Sequence, residues 1–496
     1  MKKLKYLYIN YLLVIIFIMA SCTKLEREDY QRIEADKFFK TEADCSAAVA
    51  ALYGDGMMGW FYNGMTHIGA LSDLTTDQCE FAWDGGWGYI ASHFYYTADN
   101  NGRMTDRYSL LVQGVSKATN LIPQLNKIPM KSEVRARYIA EVRGLRCNMI
   151  FWGYDVYGGI SIMTDPDVLA DVSGAEHFVK RATFKEMCDY VVSEVDSIKD
   201  DLPNRYAVGE TNYGRITKGA VLTIKLKILM QEKRFQEAEA TAREIMSCGY
   251  SLVPIYKNIF ALENEGNAET ILSYPCKANL TPGNAYTAHW LSWDYPSVNP
   301  NSQKWGVFKL KWNFVDTFDE KDERLKQVVT QYINISGEQI KRGIGELLNG
   351  AVVLKYNEDM TATGSQHGND MIMYRYADVL LLLAEAINQN KKGPDQECID
   401  LLNSIRLRAF PNNPEKLLKL SDYSGNMAKF DDAILNERGW ELFAEFTRRQ
   451  DLIRHGKFHE TARKVNPAYK EGQMYFPIPT WIVDQSKGVI SQNPDY

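Results

Sequence analysis

The 496-residue chain is poor in the groups that build metal and redox centres. It has only seven histidines, and none of its eight cysteines falls in a Cys-x-x-Cys pair. Without that spacing the common zinc and dithiol motifs are excluded. No His-Glu-x-x-His occurs; His455 and His459 stand four apart, but Gly456 interrupts them and the sequence offers no third ligand. Gly-x-Ser-x-Gly is absent. Gly209…Gly214-Arg215-Ile216-Thr217 lacks the lysine of a phosphate loop, and Gly343-Ile344-Gly345 lacks a third glycine. An excess of positive charge is missing too. The 57 Lys and Arg are outnumbered by 63 Asp and Glu, giving a net charge of −6 with both signs interspersed, so no nucleic-acid partner is expected. No enzyme activity, metal or cofactor is indicated, although loop carboxylates leave room for a Ca²⁺.

What is present begins at the N-terminus. Lys2, Lys3 and Lys5 precede an apolar run from Tyr11 to Ala20, followed by Ser21 and Cys22. A basic start and a short apolar stretch make residues 1–21 a secretory signal. No later apolar run reaches the ~20 residues of a spanning helix. Small residues before Cys22 resemble the lipobox of bacterial lipoproteins, with Met19 in place of the usual Leu, which marks Cys22 for lipidation. Residues 22–496 are then one soluble unit tethered by acyl chains. The seven other cysteines lie mostly in apolar helical text and read as buried free thiols.

The body carries the 3.6-residue period of helices. It predicts helices over Tyr108–Leu125, Ser132–Tyr157, Thr183–Leu202, Thr217–Gln231, Arg234–Cys248, Tyr374–Asn388, Pro394–Ala409 and Asp431 to about His455. Thr183 with Glu186 forms a capping box. Ala238, Ala240 and Ala242 permit close helix approach, and Gly249 stops that helix. The pairs read as tetratricopeptide-type units. Long inserts near 60–106 and 250–370 separate them, and loops on a rigid frame commonly carry function.

Two carboxylate groupings need weighing, because glycoside hydrolysis requires only a pair. Glu437, Glu441 and Glu445 recur every four residues near Arg438, Arg448 and Arg449, which reads as an ion-paired face. Asp73 and Asp77 lie beside an aromatic run and keep a surface glycosidase open as an alternative. The aromatics themselves are uneven. Seven of the ten Trp fall in two windows, with Trp60, Trp83 and Trp87 in the first and Trp290, Trp293, Trp305 and Trp312 in the second. Interleaved glycines at 59, 64, 85, 86 and 88 argue against a helical core stripe there. Indole faces suit the apolar side of a sugar ring, and they have few torsions to freeze on binding. The expected platforms are Trp83, Trp87 and Trp293, then Trp60, Trp290 and Tyr295. Asp84, Asn63 and Asp294 are the expected hydrogen-bonding groups.

The order of motifs along the chain resembles the SusD/RagB family. Asp36-Lys37-Phe38-Phe39-Lys40-Thr41 is similar to the family's opening stretch. Ala140-Glu141-Val142-Arg143-Gly144-Leu145-Arg146 before Tyr157-Gly158-Gly159, and Gly214-Arg215-Ile216-Thr217, are similar to its central helices. The strongest likeness is C-terminal: Arg375-Tyr376-Ala377-Asp378, Asn436-Glu437-Arg438, Asp451-Leu452-Ile453-Arg454, Phe476-Pro477-Ile478-Pro479 and Gln492-Asn493-Pro494-Asp495-Tyr496. Trp440, Phe446 and Asp495 depart from it. The resemblance implies a mainly α fold of about four tetratricopeptide-like helix pairs with ligand-binding inserts. It implies an outer-membrane, surface-facing lipoprotein without hydrolytic activity, which delivers oligosaccharides to a SusC-like TonB-dependent transporter. Some relatives capture peptides, so a peptide ligand stays open beside a glycan. Its charged C-terminal residues are expected to pair between helices.

Overall fold

The computed structural model describes residues 39–54, 68–99, 104–170, 178–280, 283–423 and 425–496. The signal segment, Cys22, Trp60 and Asn63 lie outside the described residues.

Helices dominate. Three hairpins, Met104–Lys127 with Ser132–Tyr157, Lys218–Gln231 with Phe235–Met246, and Tyr376–Lys391 with Gln396–Ala409, each close through a short turn. Phe184–Ile198 packs along Ser132–Tyr157, and Met427–Glu441 packs on Tyr376–Lys391. The result is the tetratricopeptide-like stack expected from the sequence. Local signals explain the boundaries. The Thr183 hydroxyl accepts the Glu186 amide at 3.2 Å while the Glu186 carboxylate accepts the Thr183 amide at 2.8 Å. Thr217 caps the next helix through the Ala220 amide at 3.2 Å. Gly249, at φ +87°, supplies the left-handed residue just beyond the Phe235–Met246 helix. Ala238 and Ala242 face inward at i, i+4, but Ala240 faces solvent, so two alanines rather than three allow the close approach.

The last expected helix is divided. Met427–Glu441 and Arg448–Arg454 are separate, because Ala444 and Phe446 adopt φ of +57° and +64° between them. The break turns Phe446 inward, where its amide donates to Asp73 at 3.3 Å. Among the described residues the seven cysteines, Cys45, Cys79, Cys147, Cys188, Cys248, Cys276 and Cys398, are free thiols, all but Cys276 buried.

The inserts are less irregular than their sequence suggests. A four-stranded antiparallel sheet runs in the order Cys79–Phe81, Phe308–Lys311, Gly350–Val353, Val328–Val329. It pairs the first aromatic window directly with the second, with Phe81 opposite Phe308 and Glu80 opposite Lys309. A separate hairpin, Gln331–Ile333 with Gln339–Lys341, packs beside it.

Buried charges fasten the inserts to the helices. Arg375 binds Glu441 at 2.7 Å and Glu269 at 2.8 Å, and Arg408 holds the same two carboxylates at 2.7 and 2.6 Å. Arg324, from the middle insert, meets Glu437 at 2.7 Å and Glu441 at 3.2 Å. Lys355 reaches Glu445 at 2.5 Å. Glu437, Glu441 and Glu445 are thus a structural ion cluster, as the sequence reading has it. Further along, Arg438 pairs with Asp378 and Asp451, both at 2.8 Å, and Arg454 with Glu385 at 2.6 Å. Removing one partner from such a buried group strands the other charge away from water. The early insert is pinned similarly: Arg448 grips Asp77 through two bonds of 2.8 and 2.7 Å, and the Gln78 amide donates to the Gly439 carbonyl at 3.2 Å.

Candidate ligand-binding surface

The sheet brings the two aromatic windows to one end. Beyond the Phe81–Phe308 pair the ladder continues through the Ala82 amide, which donates to the Val307 carbonyl at 2.8 Å. In that register Trp83 stands opposite Gly306. Gly306 is at φ +61°, and a Cβ there would come within 2.8 Å of Ser292 Cα. Glycine therefore allows the Ser292–Tyr295 turn to lie directly on this strand. That turn is closed by the Tyr295 amide donating to the Ser292 carbonyl at 3.0 Å, which puts Trp293 at its tip.

Both indoles are open. Trp83 is 47% exposed and Trp293 60%. Trp83 rests edge-on against Phe81 at 6.3 Å, and Phe81 in turn meets Phe308 at 6.0 Å. The Trp293 indole NH donates to Glu346 at 2.8 Å. The other Glu346 oxygen lies 3.4 Å from the buried Lys309 ammonium, which also donates to Ser292 at 2.7 Å. Burial lowers the Lys309 pKa, against the raising pull of Glu346. An exposed aromatic with its polar atom already satisfied presents an apolar face to solvent. That face of Trp293, with the exposed Trp83 ring at the same sheet end, is suited to stack on the C–H faces of sugar rings.

The other expected residues divide. Asp84 is exposed beside Trp83, in the turn where Gly85 and Gly86 take φ of +74° and +75°. Trp87 belongs to the Gly86–Ser92 helix; its side chain lies outside the described set. Trp290 is corrected: it is 2% exposed, inside the short Tyr286–Trp290 helix, against Tyr286 and Phe308. It is core, three residues from an open platform. Asp294 is corrected as well. Its buried carboxylate accepts the Tyr332 hydroxyl at 2.6 Å and the Asn334 amide at 3.4 Å, and its carbonyl accepts the Ile335 amide at 3.0 Å. It fixes the turn that presents Trp293 and does not reach a rim. Tyr295 is half-buried, edge-on to Tyr332 at 5.2 Å. It lines a cleft of about 750 Å³ between the 254–261, 295–298, 323–327 and 354–358 segments, which Trp293 does not line.

Glu346 escaped the sequence reading. It follows Gly343-Ile344-Gly345, and nothing in that text links it to Trp293. Asp73 and Asp77 do not form an exposed pair: Asp73 is buried under Phe446 and Asp77 is spent on Arg448. Among the described residues no group of three or more His, Cys, Asp or Glu comes together to hold a metal.

Comparison with known proteins places this architecture. Residues 258–496 match the model of the SusD family. A SusD-like protein of Formosa agariphila is 24% identical over 487 residues, covering 90% of each chain. The crystal structure of a SusD homolog from Bacteroides thetaiotaomicron superposes with a TM-score of 0.79 at 20% identity, covering 94% of this chain and 99% of that one. Surface glycan-binding protein A from the same organism, solved in complex with laminarihexaose, gives 0.73 at 20% identity, covering 91% and 99%. The match to the family model thus spans the middle insert from residue 258 and the C-terminal helices. Both solved structures share its fold over more than nine-tenths of the chain.

Proposed function

We propose that this chain is a non-catalytic, lipid-anchored glycan-binding protein of the outer-membrane surface, which captures oligosaccharides and hands them to a SusC-like TonB-dependent transporter. The observation that carries the binding role is the pair of open indoles, Trp83 and Trp293, at one end of a sheet built from both inserts. A relative of the same fold binds laminarihexaose, which supports a saccharide as the ligand class. Hydrolysis is disfavoured because it needs two carboxyl groups facing the substrate, and the Asp73 and Asp77 side chains are occupied elsewhere. The anchor at Cys22 and the transporter partner rest on the N-terminal sequence and on the family.

A glycan array probed with residues 23–496 tests the reading, alongside product analysis of each glycan incubated with the protein. Binding to at least one saccharide class without turnover is expected. Product in excess of the protein, or an array without any binding, overturns it.

A further inference from the structure

The cleft beside Tyr295 is distinct from the open indole surface. Tyr295 leaves the same tight turn that carries Trp293, so the cleft begins two residues beyond the platform. Its volume of about 750 Å³ lies within the range of clefts that enclose small ligands. Pro254, Pro296 and Pro411, with the exposed Ile255 and Val298, give it rigid apolar walls.

Those walls are locked together without a ligand. The Leu354 amide donates to the Gln327 carbonyl at 2.8 Å. Glu358 accepts the Val298 amide at 3.2 Å and the Asn299 amide at 3.5 Å. The Lys304 ammonium donates to the Tyr295 carbonyl at 2.5 Å. A cleft held open in this way costs little ordering when filled. The charges on its floor are committed, Lys355 to Glu445 and Arg408 to Glu269 and Glu441. The lining groups left for a ligand are hydrogen-bonding ones: the Tyr295 hydroxyl, the Gln327 amide and the Lys257 ammonium. Apolar walls with a few convergent donors and acceptors match a hydroxyl-rich ring.

We infer that this cleft is a second saccharide subsite, which takes the next sugar residues or a side branch of a glycan whose main chain lies on Trp293. The inference rests on the proposed glycan-binding role. The turn Ser292–Tyr295 divides the two subsites, with Trp293 facing the open surface and Tyr295 the cleft. A short oligosaccharide fills the platform alone; a longer or branched one reaches both.

Calorimetric titration tests this with oligosaccharides of two, four and six units from β-1,3-glucan, α-1,4-glucan, β-1,4-xylan and polygalacturonate, plus branched forms of the glucans and the xylan. The variants are Tyr295→Ala, Ile255→Arg and Trp293→Ala, each checked for wild-type thermal unfolding. Ile255→Arg blocks the cleft from an exposed position, so it stays informative if Tyr295→Ala disturbs the turn. For a glycan that binds, the cleft variants are expected to weaken six-unit or branched ligands about tenfold and to leave two-unit ligands unchanged. Loss at every length in Trp293→Ala, with both cleft variants at wild-type affinity for every ligand, overturns the second subsite and keeps the platform. Unchanged binding in Trp293→Ala, or no binding of any of these sugars by the wild type, overturns the platform and the subsite together.

Discussion

The indole NH of Trp293 donates to the carboxylate of Glu346 at 2.8 Å, across 53 residues of chain. This bond fixes the most exposed tryptophan of the second window in one orientation, and Lys309 holds Glu346 from the other side. A ring held before the ligand arrives loses less freedom on binding.

Glu346→Ala is therefore expected to weaken saccharide binding about three- to tenfold, the worth of one modest hydrogen bond. Glu346→Gln keeps an acceptor and should bind nearly as wild type. Titration calorimetry measures both, and time-resolved fluorescence anisotropy should report a freer indole only in the alanine variant.

Gly88 tests the other platform. A Cβ at this position would come within 2.2 Å of the Phe81 ring, the surface on which Trp83 rests. Phe81 is confined by Phe308, so it has little room to yield. Gly88→Ala should displace Trp83 and lower saccharide affinity, while Gly337→Ala, in an open turn at φ +82°, should leave affinity unchanged. Binding isotherms of the two variants distinguish these outcomes.

Several of these features were readable in the sequence, and the failures have physical reasons. Thr183 and Glu186 form the cap that their spacing announces, and Gly249 takes the left-handed turn expected of it. Those signals are local. The division after Glu441 is not: Ala444 and Phe446 are poor candidates for positive φ, and they are held there by contacts from the early insert, such as Asp73 with the Phe446 amide. Trp290 and Trp293 look alike in sequence. One sits within a buried helical turn and the other at the tip of a β-turn, and that difference depends on Gly306 lying under Ser292. The sheet joining the windows is invisible in Cys79-Glu80-Phe81, three residues whose partners lie far along the chain. Composition groups Tyr295 with the tryptophans, yet it lines the cleft.

The ion cluster predicts an acid limit. Burial alone would raise the Glu441 pKa, but Arg408, Arg375 and Arg324 outweigh it and hold the carboxyl well below its ordinary value. Glu385, beside Arg454 and His455, is lowered in the same way against its own burial. A carboxylate whose pKa is lowered by folding stabilises the protein above its unfolded pKa. That contribution fades as pH falls below about 4.5. The thermal midpoint should drop steeply under pH 4.5, and Glu441→Gln should destabilise by about 3–5 kcal/mol at neutral pH in denaturant unfolding.

Asp73 has the opposite sign. Burial raises its pKa to about 7, with the Phe446 amide and Lys355 pulling the other way, and one of its oxygens is buried without a hydrogen-bond partner. The folded state holds this proton more tightly than the unfolded state, so Asp73 costs stability as pH rises from about 4 to 7. Asp73→Asn still accepts the Phe446 amide. It should match wild type near pH 4 and exceed it by roughly 2–4 kcal/mol at pH 8. Unfolding curves at the two pH values check the difference.

The most direct test is saccharide titration of the Trp83→Ala/Trp293→Ala double variant beside each single variant, with the glycan that the wild type binds best. Each single change is expected to weaken binding at least about tenfold and the double change to abolish it, with thermal unfolding unaltered. Wild-type affinity in the double variant would contradict the account.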